Sequence, residues 1–158
     1  MSDLYEQDFI GWTEQQARLL RQAAAGSNLG LDWANLIEEV ESLGRSEKRA
    51  LGSELRRVVV HLLKLEHSPA LEPRAGWQES LSNARAEILE LLKDDPGLRP
   101  RLPAILREQE LVAAKLAADA LQSYREETEA AAVRRRTFPL YTQDQVLGDW
   151  LPQRPDPS

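Results

Sequence analysis

The stretch from Leu31 to Leu65 most constrains the fold, because apolar residues recur in it at helical spacing almost without interruption. Asp32 is a good N-cap residue and Gly44 a typical helix terminator, so the first part of the stretch predicts a helix between them. The apolar residues of this helix fall within one arc of about 120° on a helical projection. They are Trp33, Leu36, Ile37, Val40 and Leu43. This arc is expected to face the core.

The second part of the stretch predicts the central helix of the fold, over residues of about 46 to 66. Ser46 can cap its N-terminus. A core seam follows with the alternating four- and three-residue spacing of a buried helix face. Its members are Leu51, Leu55, Val58, Leu62 and Leu65, and Val59 and Leu63 widen the apolar face. A helix with so broad an apolar face needs neighbours on two flanks, which predicts a position at the centre.

Three other segments have helical periodicity. The first begins at Asp3 or Asp8 and ends near Gly26, and the stripe expected to face the core consists of Phe9, Trp12, Leu19, Leu20 and Ala23. A fourth helix repeats Trp77, Leu81, Ala84, Ile88 and Leu91. A fifth runs from about Ala104 to about Arg134 without proline or glycine. Beyond Arg125 its apolar stripe thins to alanines, so this end is expected to protrude or fray.

The C-terminal part predicts a short helix and an anchored end. Thr142 with Gln145 forms a capping-box pattern that opens a helix through Leu147. Trp150 to Pro152 is expected to anchor the end of the chain to the rest of the domain.

Together these patterns predict an all-α, single-domain helical bundle over residues 1–152, with four to five main helices plus short ones. Residues 153–158 are expected to form a disordered tail.

Composition and charge exclude several classes of function. The chain has no cysteine, which excludes disulfides and thiolate metal sites. The N-terminus lacks the features of a secretory signal, and no segment has the roughly 18 to 20 apolar residues of a membrane span. A cytoplasmic protein without membrane association is therefore predicted. The net charge of −6 disfavours nucleic-acid binding. The only basic run, Arg134 to Arg136, is short and is expected to lie at a helix C-terminus.

Several motifs resemble those of an uncharacterised bacterial family, the domain-of-unknown-function family numbered twenty-nine. The most specific block runs from Leu36 to Glu47, and His61 to Lys64 follows it. Other matching motifs are Leu4-Tyr5, Asp8-Phe9, Trp12, Leu31-Asp32-Trp33, Trp77, Leu98-Arg99-Pro100, Phe138-Pro139 and Thr142 through Pro152. The resemblance covers nearly the whole chain and implies an almost entirely helical fold. It implies no activity.

A dense polar block gives the candidate functional residues, which are Glu38, Glu39, Glu41 and His61. Carboxylate and imidazole groups are the ligands that metal sites in helical bundles use. The projection, however, points Glu38 away from the apolar arc and puts Glu39 and Glu41 on opposite flanks of it. The Glu-x-x-His pattern of di-iron bundles is absent. A metal site is therefore restricted to Glu38, Glu41 and His61, with Glu39 and Glu54 as further candidates.

The alternative interpretation is a solvated helix face, in which the glutamates pair with Arg45, Lys48, Arg49 or Arg56. In that interpretation His61 is a hydrogen-bonded residue at the edge of the core. Neither a nucleophile elbow nor a glycine-rich phosphate loop occurs in the sequence.

The biochemical activity therefore stays unknown, and the sequence identifies no cofactor. The leading hypothesis is a small helical interaction module, acting by self-association or by binding a protein partner, with Arg125 to Arg136 as a contact surface. The competing hypothesis is a metal-dependent hydrolase or a small-molecule site built on Glu38, Glu41 and His61.

Overall fold

The computed structural model describes residues 3–157, and within this range the chain folds into seven α-helices and one 3₁₀ helix without any β-strand. The α-helices are α1 (Leu4–Gln7), α2 (Phe9–Gly26), α3 (Trp33–His67), α4 (Arg74–Asp94), α5 (Leu102–Ser123), α6 (Glu127–Arg134) and α7 (Gln143–Leu147). The 3₁₀ helix, Pro96–Arg101, connects α4 to α5. The predicted all-α fold is confirmed.

The second half of α3 forms the centre of the core. Its fully buried apolar side chains are Leu51, Leu55, Val58, Val59, Leu62, Leu63 and Leu65. Helices α4 and α5 pack against it, and α6 and α7 also contact it. The predicted seam and its two widening residues are therefore all buried, as expected for a helix that has neighbours on two flanks.

The central helix is much longer than predicted, because α3 does not break at Gly44. It runs without interruption from Trp33 to His67, a length of 35 residues. Gly44 is helical and buried, and a Cβ atom built on it would lie 2.5 Å from Thr13 Oγ1. The glycine therefore allows α2 to approach α3 closely, and it does not end a helix. The prediction of separate helices before and after residue 45 was wrong.

The predicted fifth helix is divided at Tyr124. Helix α5 ends at Ser123, Arg125 has a positive φ of 64°, and α6 begins at Glu127. The turn folds α6 back against α5 and α3, where Ala130 and Val133 are buried. The expectation that this end protrudes was wrong, because its small alanine stripe packs closely against the body. The segment from Arg125 to Arg136 is therefore not the free contact surface that the sequence suggested.

The starts of α2 and α7 follow predicted capping residues. Asp8 caps α2 through a hydrogen bond from the Gly11 amide to its Oδ1 at 3.0 Å, and Thr142 forms the predicted capping box with Gln145. Arg85 donates to the backbone carbonyl of Trp150 at 2.8 Å, which anchors the C-terminal segment to α4.

Residues 153–157 contain no helix. Met1, Ser2 and Ser158 lie outside the described residues, so the domain limits of 1–152 and the disorder of the tail stay predictions.

Helix α2 and the first part of α3 form a two-helix extension of the bundle. The two helices run antiparallel, and α2 packs against α3, α1 and the 3₁₀ helix. Within the described chain, no residue from 18 to 43 is buried. We call this segment, residues 18–43, the arm.

Candidate functional site

The structure separates the predicted carboxylates from the predicted histidine. Glu38, Glu39 and Glu41 lie in the arm, whereas His61 lies in the core half of the same helix. Twenty residues of continuous α-helix separate Glu41 from His61, which corresponds to about 30 Å along the axis. One bound ion therefore cannot contact both side chains of the same chain.

Glu38 and Glu41 are held in a network of ion pairs. Arg45 contacts Glu38, and its Nη1 lies 3.8 Å from Glu41 Oε2. Arg21 of α2 also pairs with Glu41, which links the two helices of the arm. The structure thus shows the predicted pairing with Arg45 and adds Arg21, which lies too far away in the sequence for helical spacing to reveal.

Glu39 and His61 have different surroundings. The Glu39 side chain is exposed, and no hydrogen bond or ion pair of its carboxylate occurs among residues 3–157. His61 Nδ1 lies 2.7 Å from the carbonyl oxygen of Arg57. Burial is the main cause that lowers the pKa of His61, and the positive charges of Lys64 and Arg57 act in the same direction. His61 is therefore a hydrogen-bonded residue at the core edge that favours its neutral form.

The polar residues do not converge on one point. Among residues 3–157 there is no group of three or more histidine, aspartate or glutamate side chains arranged to hold a metal ion. Glu54, the further candidate, pairs with Arg57 at 3.2 Å. The metal site of the competing hypothesis stays a prediction without a converging set of ligands.

Two of the three arginines near the end of α6 have side-chain partners within the chain. Arg134 Nη2 lies 3.2 Å from Asp119 Oδ1, and Arg136 Nη1 donates to Glu66 Oε2 at 2.7 Å. Tyr141 also donates its hydroxyl to Glu66, and Arg136 lies over the Tyr141 ring. These contacts hold the segment after α6 against the end of α3.

The feature that sequence reasoning missed is the open apolar surface of the arm. The buried residues of α2, which face α3, are Ile10, Thr13 and Ala17. The predicted core stripe lies on a different side of α2, which does not face α3. On that side Leu19 is 49% exposed, Leu20 is half-buried and Ala23 is exposed. The prediction that this stripe faces the core was wrong.

Helix α3 contributes to the same surface. Leu36 is 42% exposed and Leu43 is 49% exposed, although both belong to the arc that was predicted to be buried. Helical projection of the two antiparallel helices places Leu36, Val40 and Leu43 on the same side as the α2 stripe. We call this surface the apolar face of the arm: Leu19, Leu20, Ala23, Leu36, Val40 and Leu43.

The opposite side of the arm is charged. A groove of about 440 Å³ runs between the helices there, and its charged lining residues are Glu14, Arg18, Arg21, Glu41, Arg45 and Lys48. The ion pairs of Glu38 and Glu41 lie on this side. The arm is therefore a two-sided hairpin, with one face of paired charges and one face of uncovered apolar side chains.

Comparisons with known proteins give a family and a fold but no activity. A family model described as Domain of unknown function DUF29 matches residues 4–151. The chain is also similar to an α-helical protein of unknown function from Rhodospirillum rubrum that is known from a crystal structure. The identity is 25%, the TM-score is 0.67, and the match covers 94% of this chain and 92% of that chain. No curated protein matches the sequence.

No helix in the described part of the chain has both the length and the apolar character needed to cross a bilayer.

Proposed function

The chain belongs to the family Domain of unknown function DUF29, and we propose that it is an interaction module that self-associates through the apolar face of its arm. One observation carries the proposal. Two apolar stripes have the periodicity of core-facing helix surfaces, yet the single chain leaves Leu19, Leu36 and Leu43 about half exposed. Exposed apolar surface that is contiguous and bordered by polar residues is typical of protein interaction sites.

The energetic gain from covering this face is substantial. Complete burial of a leucine side chain contributes about 1.5–3 kcal/mol. Covering the exposed halves of Leu19, Leu36 and Leu43 would therefore contribute on the order of 2–4 kcal/mol. Leu20 and Val40 are half-buried and would add to this sum.

A second copy of the chain is the partner that fits the shape of the arm. A hairpin of two helices has only one layer, and a second hairpin laid on its apolar face completes a four-helix arrangement. Twofold pairing of identical surfaces is the commonest form of self-association in soluble proteins. Glu39 lies about 40° beyond Leu43 on the helical projection. Glu47 lies one turn after Leu43 on the same side of α3, so charged residues border the face at its edge and at its base.

A second exposed apolar strip, on α5, fits this role less well. Leu111, Val112 and Leu116 are exposed there. The strip lies on one helix, and the ion pair of Lys115 with Asp119 at 2.6 Å occupies the adjacent surface. The arm presents apolar side chains from two helices, which is the arrangement that a helical partner can pack between.

The test of this proposal measures the mass of the protein in solution by light scattering across a concentration series. We expect the wild type to form dimers, and Leu36→Glu combined with Leu43→Glu to be monomeric because two carboxylates would be buried in the interface. The matched control is Leu89→Glu, which changes a leucine of similar exposure (52%) on α4. Far-ultraviolet circular dichroism checks that each variant keeps its helices.

Two results would contradict self-association through the arm. The wild type could be monomeric at every concentration, which would leave the apolar face to a different protein partner. Alternatively, Leu111→Glu could separate the dimer while the arm variant stays dimeric, which would assign the interface to α5.

A further inference from the structure

Two arms that pack face to face about a twofold axis can point in the same direction or in opposite directions. With the axis along the arms, the two free ends meet and the two bundles lie side by side. With the axis across the arms, each free end reaches the base of the partner's arm. We call the turn between α2 and α3, residues 27–32, the tip of the arm.

The base of the arm is a concentration of negative charge. A cavity of about 320 Å³ opens there, and it is lined by two aromatic residues and four carboxylates: Tyr5, Phe9, Glu6, Glu47, Asp94 and Asp95. Among residues 3–157, no ion pair joins any of these four carboxylates to a lysine or arginine. Burial raises the pKa of Glu47, and the negative charges of Asp95 and Asp94 raise it further. These acids therefore repel one another already within a single chain.

The position of these acids at the end of the apolar face disfavours arms that point in the same direction. Such a pair would bring the four carboxylates of one chain opposite the same four of its partner, and like charges that meet at an interface weaken it. Opposite directions keep the two groups apart. The stretch of α3 from Trp33 to Glu47 is about 21 Å long. This distance exceeds the roughly 8 Å over which exposed charges interact at physiological ionic strength.

The base of the arm also presents aromatic rings. Tyr5 stands edge to face against Phe9 and Trp12, with ring centroids 5.5 Å and 4.9 Å apart. Tyr5 is 52% exposed, and Phe9 and Trp12 are half-buried. On the helical projection Phe9 and Trp12 continue the α2 stripe of the apolar face. The rings therefore extend this face to the base of the arm.

The tip is apolar and carries little charge. Leu29 is 66% exposed and Leu31 is 51% exposed. Asp32 is the only charged residue from 27 to 32, and its carboxylate caps α3 by accepting hydrogen bonds from the Asn35 amide at 3.3 Å and the Asn35 side chain at 2.7 Å. A turn of this kind can approach the acidic base with far less repulsion than a second acidic base can.

We propose that the two arms of the dimer run in opposite directions and that each tip, through Leu29 and Leu31, packs on the rings of Tyr5, Phe9 and Trp12 at the base of the partner's arm. This inference rests on the proposed self-association and adds the direction of the two chains. The two bundles then lie at opposite ends of a shared layer of four helices. The exposed leucines of the tip and the exposed rings of the base cover each other.

Opposite charges placed at the tip test this direction. Asn28 is an exposed tip residue, and its replacement removes neither a leucine nor a ring. With arms in opposite directions, the lysine of Asn28→Lys approaches the carboxylates of the partner's base. This variant should lower the dissociation constant of the dimer about threefold or more at low salt, and Asn28→Glu should raise it by a similar factor. Both effects should shrink at high salt. Analytical ultracentrifugation measures the constants.

The matched controls are Asn83→Lys and Asn83→Glu, which make the same changes of charge at an exposed asparagine of α4. They should leave the dissociation constant unchanged. If both Asn28 variants weakened the dimer, like charges would be meeting at adjacent tips, and the proposed direction would be overturned. Equal constants for both Asn28 variants and the wild type would also overturn it, because the tip would then lie away from the partner.

Distances between spin labels measure the direction independently. The chain has no cysteine, so Asn28→Cys supplies a single thiol for the label. Opposite directions place the two labels about 25 Å or more apart, because α2 has 18 residues. Arms in the same direction place them within about 15 Å, because packed helices lie about 8–10 Å apart. A short distance in a dimer that Leu36→Glu with Leu43→Glu abolishes would overturn the direction alone, whereas a monomeric wild type would overturn self-association as well.

Discussion

Gly44 of α3 and Thr13 of α2 lie in close contact at the base of the arm. Thr13 Oγ1 would lie 2.5 Å from a Cβ atom at position 44, and it donates a hydrogen bond to the Ile10 carbonyl at 2.6 Å. The hydroxyl is therefore fixed and cannot move aside freely. This contact sets the spacing at which the arm joins the body.

Gly44→Ala is expected to destabilise the protein. The added methyl group meets Thr13 Oγ1, and overpacking of this kind costs about 1–3 kcal/mol. This cost exceeds the gain of about 0.5–1 kcal/mol that alanine brings inside a helix. Adding Thr13→Ala should recover part of the loss because it removes the hydroxyl. Urea denaturation of the two single variants and the double variant measures this coupling.

Gly76→Ala is the matched control, since position 76 lies in α4 with no atom within 4 Å of an added Cβ. The same substitution should there raise the free energy of unfolding by about 0.5–1 kcal/mol. If both alanine variants proved stabilising, the close packing of α2 on α3 at Gly44 would be contradicted.

The arm is expected to be dispensable for the fold of the bundle. Replacing residues 19–38 by a short glycine-serine loop joins Arg18 to Glu39, which stand at similar heights on the two helices. Because no residue from 18 to 43 is buried, the shortened chain should unfold cooperatively, with a change in the free energy of unfolding of no more than about 2 kcal/mol. Thermal melts followed by circular dichroism measure this. Loss of cooperative unfolding would show that the arm is part of the core.

Glu41→Gln is expected to have a small effect, because Glu41 takes part in a surface network with Arg21 and Arg45. Surface ion pairs contribute about 0–1 kcal/mol and weaken with salt. The loss of stability should therefore be smaller in high salt.

Thermal melts in excess Mg²⁺, Mn²⁺ or Zn²⁺ test the competing metal hypothesis with the same variant, Glu41→Gln. A rise in melting temperature that Glu41→Gln abolishes would support a metal site in place of a structural network.

The two histidines predict how stability depends on pH. Burial is the largest cause that lowers the pKa of both His61 and His67 below the ordinary value of 6.5. Between the lowered pKa and 6.5 the unfolded chain binds more protons than the folded chain, so stability falls as the pH falls through this range. His61→Gln should reduce the slope of stability against pH. Urea denaturation at several pH values between 5 and 8 measures it, and an unchanged slope for the variant would exclude His61 as a cause.

The sequence was most informative where a helix is covered on two flanks. The seam from Leu51 to Leu65 is buried as predicted, because regular spacing identifies a core face well when neighbours cover it. The caps at Asp8 and Thr142 were also predictable, because a capping side chain bonds the backbone within three residues. These interactions are local, and the residues that make them are close together in the sequence.

The errors arose where contacts distant in the sequence decide the structure. Gly44 was interpreted as a terminator, but the approach of Thr13, 31 residues earlier, explains it. The positive φ of Arg125 had no local signal such as glycine. For the candidate site, spacing could show that Glu38 and Glu41 share a helix, but it could not show that Arg21 pairs with Glu41. The cavity lined by Glu6, Glu47, Asp94 and Asp95 was also invisible, since its acids come from three separate segments.

The continuity of α3 has a mechanical consequence. A helix of 35 residues is about 50 Å long. The N-terminal part of α3 lies in the arm, and its C-terminal part is packed among the other helices of the bundle. The helix continues from one part to the other without a hinge, so the orientation of the arm is fixed relative to that of the bundle. Two copies joined at their arms would hold their bundles at a fixed separation and angle, as a rigid spacer does, rather than on a flexible tether.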